Sequence, residues 1–401
     1  MLPLAITERS AHAYVRGTAD DGAKTSWRAR FYRPRLPATD VPEVSSAELR
    51  RAMERAAATW NASLARCGDR AVAIDETTDP PSAVPRDVAY DGRDAVVWRT
   101  RADCVGAAPS DERCVAGRAA RTTVFFRNAP GEDADGEIVE ADLELDADNV
   151  HFADDGRPGA LDLESVLLHE MGHALGLEHT CMVTTSATDD TGRAIPACEP
   201  PDALAGAIRA TVMFPYLDPG ERKRALSGDE ARAACDLYGA TAASEDSAHA
   251  SCAEGRTSPT SSTWLWSATA LVIAVALRRR KARGATLATT AILFVAAGIA
   301  PHGVAHADAD TATSPANHAA DALTAIAGEV TEIRGRWENG RIVSDVTIVS
   351  VDGGLAHATL AGGVVGAIGM RRSDVPWVRV GERGGFGLRA VGSAWWLVER
   401  W

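Results

Sequence analysis

His169-Glu170-Met171-Gly172-His173-Ala174-Leu175-Gly176-Leu177-Glu178-His179 decides how this chain is read. On a helix, His169 and His173 stand one turn apart on the same face, so both imidazoles reach a common point. Glu170 lies beside them, placed to hold a water and take its proton. Gly176 lets the chain leave the helix through a backbone shape that a Cβ penalises. The chain then turns back and brings His179 to the same point. Three neutral imidazoles leave a fourth position open, the arrangement of a catalytic rather than a structural zinc. One catalytic Zn²⁺ held by His169, His173 and His179 is expected, with Glu170 as general base toward a metal-activated water. Chance gives the two-histidine part in roughly one to two chains per hundred of this length. The added glycine and third histidine lower that to order 10⁻⁵.

The flanking residues sharpen the reading. Thr211-Val212-Met213-Phe214-Pro215 follows the zinc helix, and Leu226-Ser227-Gly228-Asp229-Glu230 leads to Leu237-Tyr238-Gly239. Upstream, a stretch from Thr25 to Pro37 precedes an apolar-periodic segment ending at Trp60. Together these resemble the metzincin zinc proteases and, within them, the matrixins, the matrix-metalloprotease-like family. The resemblance covers about 26–240. It implies an α+β fold, a twisted mixed sheet with a zinc helix, and a zinc metalloendopeptidase acting on protein or peptide substrates. By the same resemblance Met213 is the methionine beneath the metal. Thr122–Arg127 is implied as the edge strand over the cleft, where Thr123, Val124 and Phe125 bind an extended, antiparallel peptide through backbone hydrogen bonds. Pro215 and Tyr216 help wall the pocket for the residue after the scissile bond.

Some features depart from the family. Only His151 stands where a second, structural zinc would need ligands, so none is expected. Acidic pairs at Asp133/Asp135 and Asp154/Asp155 leave calcium open as a further ion. Cys67, in Arg66-Cys67-Gly68, is read as half a disulfide rather than an inhibitory cysteine, because it follows the first helix. An insert at 180–210 enlarges the loop between His179 and Met213.

The rest divides by composition. An N-terminal segment, 1–25, lacks the basic start and long apolar run of a signal peptide, while the cysteines and the tail imply export, so the true start is expected to lie upstream of residue 1. Within 26–240, strands are expected over Trp27–Tyr32, Ala71–Asp75, Ala95–Arg99, Thr122–Arg127 and Glu137–Leu145. Helices are expected over Ser46–Trp60, Leu161–Leu177 and Asp229–Tyr238, the first capped by Ser45 or Ser46 and the last by Ser227. A linker, 241–262, precedes two apolar runs within 263–306, Trp264–Leu277 and Ala285–Ala300, separated by Arg278, Arg279, Arg280, Lys281 and Arg283. Such basic clusters sit on the cytoplasmic side of a membrane, so a membrane association through 264–300 is expected. Cys252, the spacer and the first run resemble bacterial sorting tails. Arg278 to Ala307 also reads as an internal signal peptide, and both arrangements stay open. After a linker, 307–327, residues 328–401 have an all-β pattern, with Glu338-Asn339-Gly340 as a hairpin signal.

A net charge of −13 excludes a general attraction for nucleic acid. Of the seven cysteines, none forms a CxxC pair, so disulfides in an oxidising compartment are expected. Cys104–Cys114 and Cys181–Cys198 close short loops and are the expected pairs. The chain is therefore expected to be secreted or at the cell surface, tethered to a membrane. The competing reading is a surface adhesion or binding protein displaying a protease-like cleft. An intact Glu170 argues against it, since a pure binder needs no base.

Overall fold

The computed structural model describes residues 14–75, 87–100, 119–182, 194–198, 200–239, 323–391 and 394–400. Cys104, Cys114, Cys252 and the whole segment 263–306 lie outside the described residues, so the expectations placed on them are not addressed. Among the described residues no helix is long and apolar enough to cross a membrane.

Helix α1, Ser46–Leu64, starts at Ser45, where a reciprocal capping box forms with Glu48. Its buried face is Leu49, Met53, Ala56 and Trp60, the three-to-four spacing of an amphipathic helix. The Trp60 indole N–H donates to the Leu168 carbonyl at 2.9 Å, fixing α1 to α2, the zinc helix Leu163–Ala174. Helix α3, Gly228–Tyr238, has its own capping box between Ser227 and Glu230. Two side chains satisfy the last carbonyls of α2: Trp27 Nε1 donates to Ala174 at 2.8 Å and the Tyr238 hydroxyl to Leu175 at 2.7 Å. A Cys67–Cys235 disulfide joins the end of α1 to α3 across 168 residues.

The main sheet contains β1 (Ser26–Trp27), β2 (Val96–Arg99), β3 (Ala120–Arg127) and β4 (Glu137–Asp146). The antiparallel β3–β4 pair is its spine, and β1 and β2 add in parallel along the far side of β4. Its inner face packs on α1 and α2 around Trp60, Ile138, Leu143, Leu167 and Met171. The expected strand Trp27–Tyr32 is instead two short pieces, Ser26–Trp27 and Phe31–Tyr32, which pair with different partners. The expected helix Leu161–Leu177 is shorter at both ends, because the Asp162 side chain caps it and Gly176 turns it off.

The C-terminal part supplies β5 (Leu323–Glu338), β6 (Arg341–Ser350), β7 (Leu355–Ala361), β8 (Gly363–Val365), β9 (Ile368–Arg372), β10 (Arg383–Val391) and β11 (Ala394–Arg400). Five of these close a barrel in the order β5-β6-β7-β11-β10, around Val330, Val346, Ile348, Leu360, Phe386 and Leu397. Asn339 and Gly340 both take positive φ, 50° and 77°, the requirement of a tight hairpin between β5 and β6.

The other two strands, β8 and β9, leave the barrel. β9 pairs antiparallel with β3, giving a six-stranded sheet with β8 and β9 at one end. The expectation that Thr122–Arg127 is an edge strand is therefore corrected: both sides of β3 are paired. The barrel and the residues before 240 belong to one compact unit rather than standing apart.

Candidate active site

Helix α2 presents His169 and His173 one turn apart. Gly176 has φ 93°, and a Cβ there would come within 2.4 Å of the Thr25 carbonyl oxygen. Both the backbone shape and the close approach demand glycine at the point where the chain turns toward His179. The three Nε2 atoms form a near-equilateral triangle, with His169–His173 at 3.1 Å, His173–His179 at 3.2 Å and His169–His179 at 3.3 Å. Tetrahedral zinc at ordinary Zn–N lengths requires an N···N separation of about 3.3–3.4 Å, so the donor set fits that ion.

The far nitrogens fix the tautomer. His169 Nδ1 donates to the Val212 carbonyl at 2.6 Å and His173 Nδ1 to the Leu177 carbonyl at 2.8 Å. That leaves each Nε2 lone pair aimed at the shared point. Burial pushes His169 down to about 3 and His173 to about 4, so both rings are neutral ligands at physiological pH. Among the described residues these three histidines are the one group of metal-type ligands that converges.

Met213 is fully buried beneath this site. Its N–H donates to Glu230 Oε1 at 2.8 Å, and its carbonyl accepts from Thr180 N–H at 3.1 Å. The same Glu230 closes the capping box of α3, so one carboxylate ties the last helix to the turn that carries Met213. A Cβ on Gly172 would lie 2.3 Å from Met213 Sδ and 3.1 Å from the Trp60 ring. The sequence reading places Gly172 within the helical motif and names Ser227 as the cap of the last helix; the parts that Gly172 and Glu230 play in seating Met213 are seen only in the structure.

Glu170 is buried, and burial pushes its carboxyl up to about 8. Its Oε2 accepts a hydrogen bond from the Thr122 hydroxyl at 2.6 Å. Thr122 thus reaches Glu170 from β3. Thr122 and Val124 line a cavity with His173, whereas Phe125 packs on the opposite face of the sheet against Val88, Ile342 and Met370. Thr123, buried and one residue from Thr122, shares that opposite side of the strand. Of the three residues expected to meet a peptide, Val124 alone turns its side chain to the zinc side. The Tyr216 ring is part-exposed and stands edge-on to Phe214 at 5.4 Å, while Pro215 is half-buried between them in sequence. Phe214 packs on the Cys181–Cys198 disulfide, which forms as expected and anchors the base of the 180–210 insert.

Three of the four residues in the acidic pairs have other partners. Asp154 pairs with Arg55 and Arg224, Asp155 accepts from Arg157 N–H, and Asp135 accepts from Ala129 N–H at 2.6 Å. His151 Nδ1 lies 2.7 Å from a Glu43 carboxylate oxygen.

The family model of the matrixins matches residues 127–186. That stretch runs from the end of β3 through β4 and the zinc helix and past His179. The chain contains a matrixin-like metalloprotease domain. No curated protein matches the chain. The three converging imidazoles and the buried Glu170 carboxyl lie within that match, and the Thr122 hydroxyl reaches the carboxyl from β3.

Proposed function

We propose that this chain is a zinc-dependent metalloendopeptidase that cuts extended peptides of extracellular proteins. The observation that carries this reading is the triangle of three Nε2 atoms, with the Glu170 carboxylate on the same helix. When bound, zinc supplies Lewis acidity to the scissile carbonyl and to water. Burial alone would keep Glu170 protonated at neutral pH, and a dication held by the three imidazoles would favour its ionised form; that carboxylate takes the proton of the attacking water and passes it to the leaving amine. The Thr122 hydroxyl holds the Glu170 carboxylate in one orientation. A peptide that pairs with the backbone of β3 must take the place of β9, which holds that side of the strand, and Pro215 and Tyr216 border the pocket beyond the cleaved bond. The two disulfides support an exported domain. Tethering through 264–300 belongs to the same reading and is carried by the sequence alone.

The test combines metal analysis with digestion. The full chain should hold one zinc, His173→Ala should lose it, and casein cleavage should stop with a chelator and return with added zinc. Cleavage that ignores the chelator, or zinc that survives His173→Ala, would overturn the assignment.

A further inference from the structure

The strand that the proposed endopeptidase would offer to a peptide already carries one. β9 runs antiparallel along β3, from Ile368 opposite Arg127 to Arg372 opposite Thr123. Ser373 N–H donates to the Thr122 carbonyl and Asn128 N–H to the Ala367 carbonyl, each at 2.9 Å, so the pairing runs from Thr122, which contacts Glu170, past the end of β3. Antiparallel is the direction in which a substrate pairs under the proposed function.

The fit is specific at the side-chain level. A Cβ on Gly369 would lie 2.2 Å from the Phe126 ring, so only glycine allows this strand to lie so close. Met370 is buried against Phe125 and Ile342. The Arg371 guanidinium pairs with Glu178 at 2.8 Å, donates to the Thr18 carbonyl at 2.8 Å and lies over the Trp377 ring at 4.9 Å. Glu178 immediately precedes the metal ligand His179. Thr122, His173, Glu178, Arg371 and Ser373 enclose a cavity of about 10 Å³, room for a single water. No second strand fits between β3 and this segment.

We propose that Ile368–Ser373 is a tethered occupant of the peptide-binding edge, and that substrate pairs with β3 only when this segment is displaced. The partner of the β3 edge is thus a segment of the same chain, held at high effective concentration by the barrel. Its Arg371–Glu178 pair also marks the class of peptide that competes best, one with a basic residue in the place of Arg371. The inference rests on the endopeptidase reading.

Ser373–Thr122 and Ala367–Asn128 are hydrogen-bonded pairs, so alternation puts Arg371 and Gly369 in hydrogen-bonded pairs as well. Arg371→Pro removes a ladder donor and the pair with Glu178. Arg371→Glu keeps the donor but sets a carboxylate against Glu178, and so still reports if the proline variant fails to hold zinc. Casein cleavage is measured for the zinc-loaded full chain and both variants. The expected result is a rise in kcat/KM of roughly tenfold or more for Arg371→Pro, carried by KM with kcat little changed, and a smaller rise for Arg371→Glu. Equal, chelator-sensitive kcat/KM in all three proteins overturns the tethered occupant and leaves the endopeptidase standing. Absence of cleavage in zinc-loaded wild type and variants alike overturns the endopeptidase reading, and this inference with it.

Discussion

The zinc helix and the β8–β9 hairpin meet across β3, and they come to their positions by opposite routes. In α2 the chemistry is local: His169, Glu170 and His173 fall within five residues, and helical geometry alone brings them together. In β9 nothing about Ile-Gly-Met-Arg-Arg is chemically marked. The consequence of that segment comes wholly from its partner, a strand some 240 residues earlier in the chain. A motif whose parts are near in sequence declares itself, whereas a strand declares only that it will pair, and not with what. The two regions also act on different quantities. Under the proposed function the helix sets how fast a bound peptide is cut, and under the tethered-occupant inference the hairpin sets whether a peptide is bound.

The largest effect that can test this division is at the base. Glu170→Ala should retain one zinc, because the three imidazoles and the Nδ1 hydrogen bonds of His169 and His173 are untouched. It should lose about 10²–10⁴-fold in kcat on casein, the usual contribution of a general base. A variant that cuts at the wild-type rate would remove Glu170 from the mechanism.

The next effect lies behind β4, on the face away from the zinc. Glu140, on β4, and Asp94, in the loop just ahead of β2, are drawn into one buried region. Burial holds Glu140 up at about 7 and Asp94 at about 6, against ordinary values of 4.5 and 3.8. Backbone N–H groups of Asp91 and Gly92 on Glu140, and of Arg33 and Ala141 on Asp94, offset part of that cost. A folded-state value above the unfolded one means that the native chain keeps its protons as the unfolded chain gives them up. The stability these groups contribute is full below about pH 4, falls between about pH 4 and 7, and is level above that. His169 and His173, whose values are lowered, act in the opposite sense below pH 6.5. The measurement that isolates the carboxylate is therefore a difference. Glu140→Gln should gain stability relative to wild type between pH 5 and pH 8 in chemical denaturation. A difference that does not change with pH would mean that Glu140 titrates normally.

Much of the fold around the zinc could be read from sequence because its signals are short-range. The serines ahead of Glu48 and Glu230 mark the starts of α1 and α3, the Asn339-Gly340 turn marks its hairpin, and Cys181 and Cys198 close a short loop. What was hidden depends on long-range closure. Cys67 finds Cys235 because α1 and α3 pack side by side, which no spacing reveals. Thr122–Arg127 has the composition of a strand, but whether such a strand lies at an edge depends on what joins it from elsewhere. Gly172 falls in the same group. It sits within the metal motif, yet its reason for being glycine is Met213, delivered from 41 positions downstream by numbering. Gly172→Ala should cost about 1–3 kcal/mol in unfolding free energy through overpacking of Met213 and Trp60. Alanine is the better helix former, so an increase in stability would show that the contact with Met213 yields freely.

The smallest effects come from two neighbouring threonines on the strand where both regions meet. The Thr122 hydroxyl donates to Glu170 Oε2 at 2.6 Å, while its backbone carbonyl accepts from Ser373 N–H. The Thr123 hydroxyl is buried without a hydrogen-bond partner among the described residues. Valine in place of threonine keeps the shape and the backbone pairing and removes only the hydroxyl, so each variant separates side-chain chemistry from strand cover. Thr122→Val leaves the Glu170 carboxylate without its donor. Hydrogen bonds to charged groups contribute about 1.5–3 kcal/mol, of which the catalytic share should appear as roughly a tenfold loss in kcat with KM little changed. Thr123→Val removes an unsatisfied buried hydroxyl, so it should be neutral or stabilising by up to about 1 kcal/mol and leave kcat alone. If the two variants behaved alike, the alternation of β3 between a zinc-facing and an opposite side would not divide its functions. A fall in KM for Thr122→Val would say that this residue acts on the tethered strand rather than on Glu170.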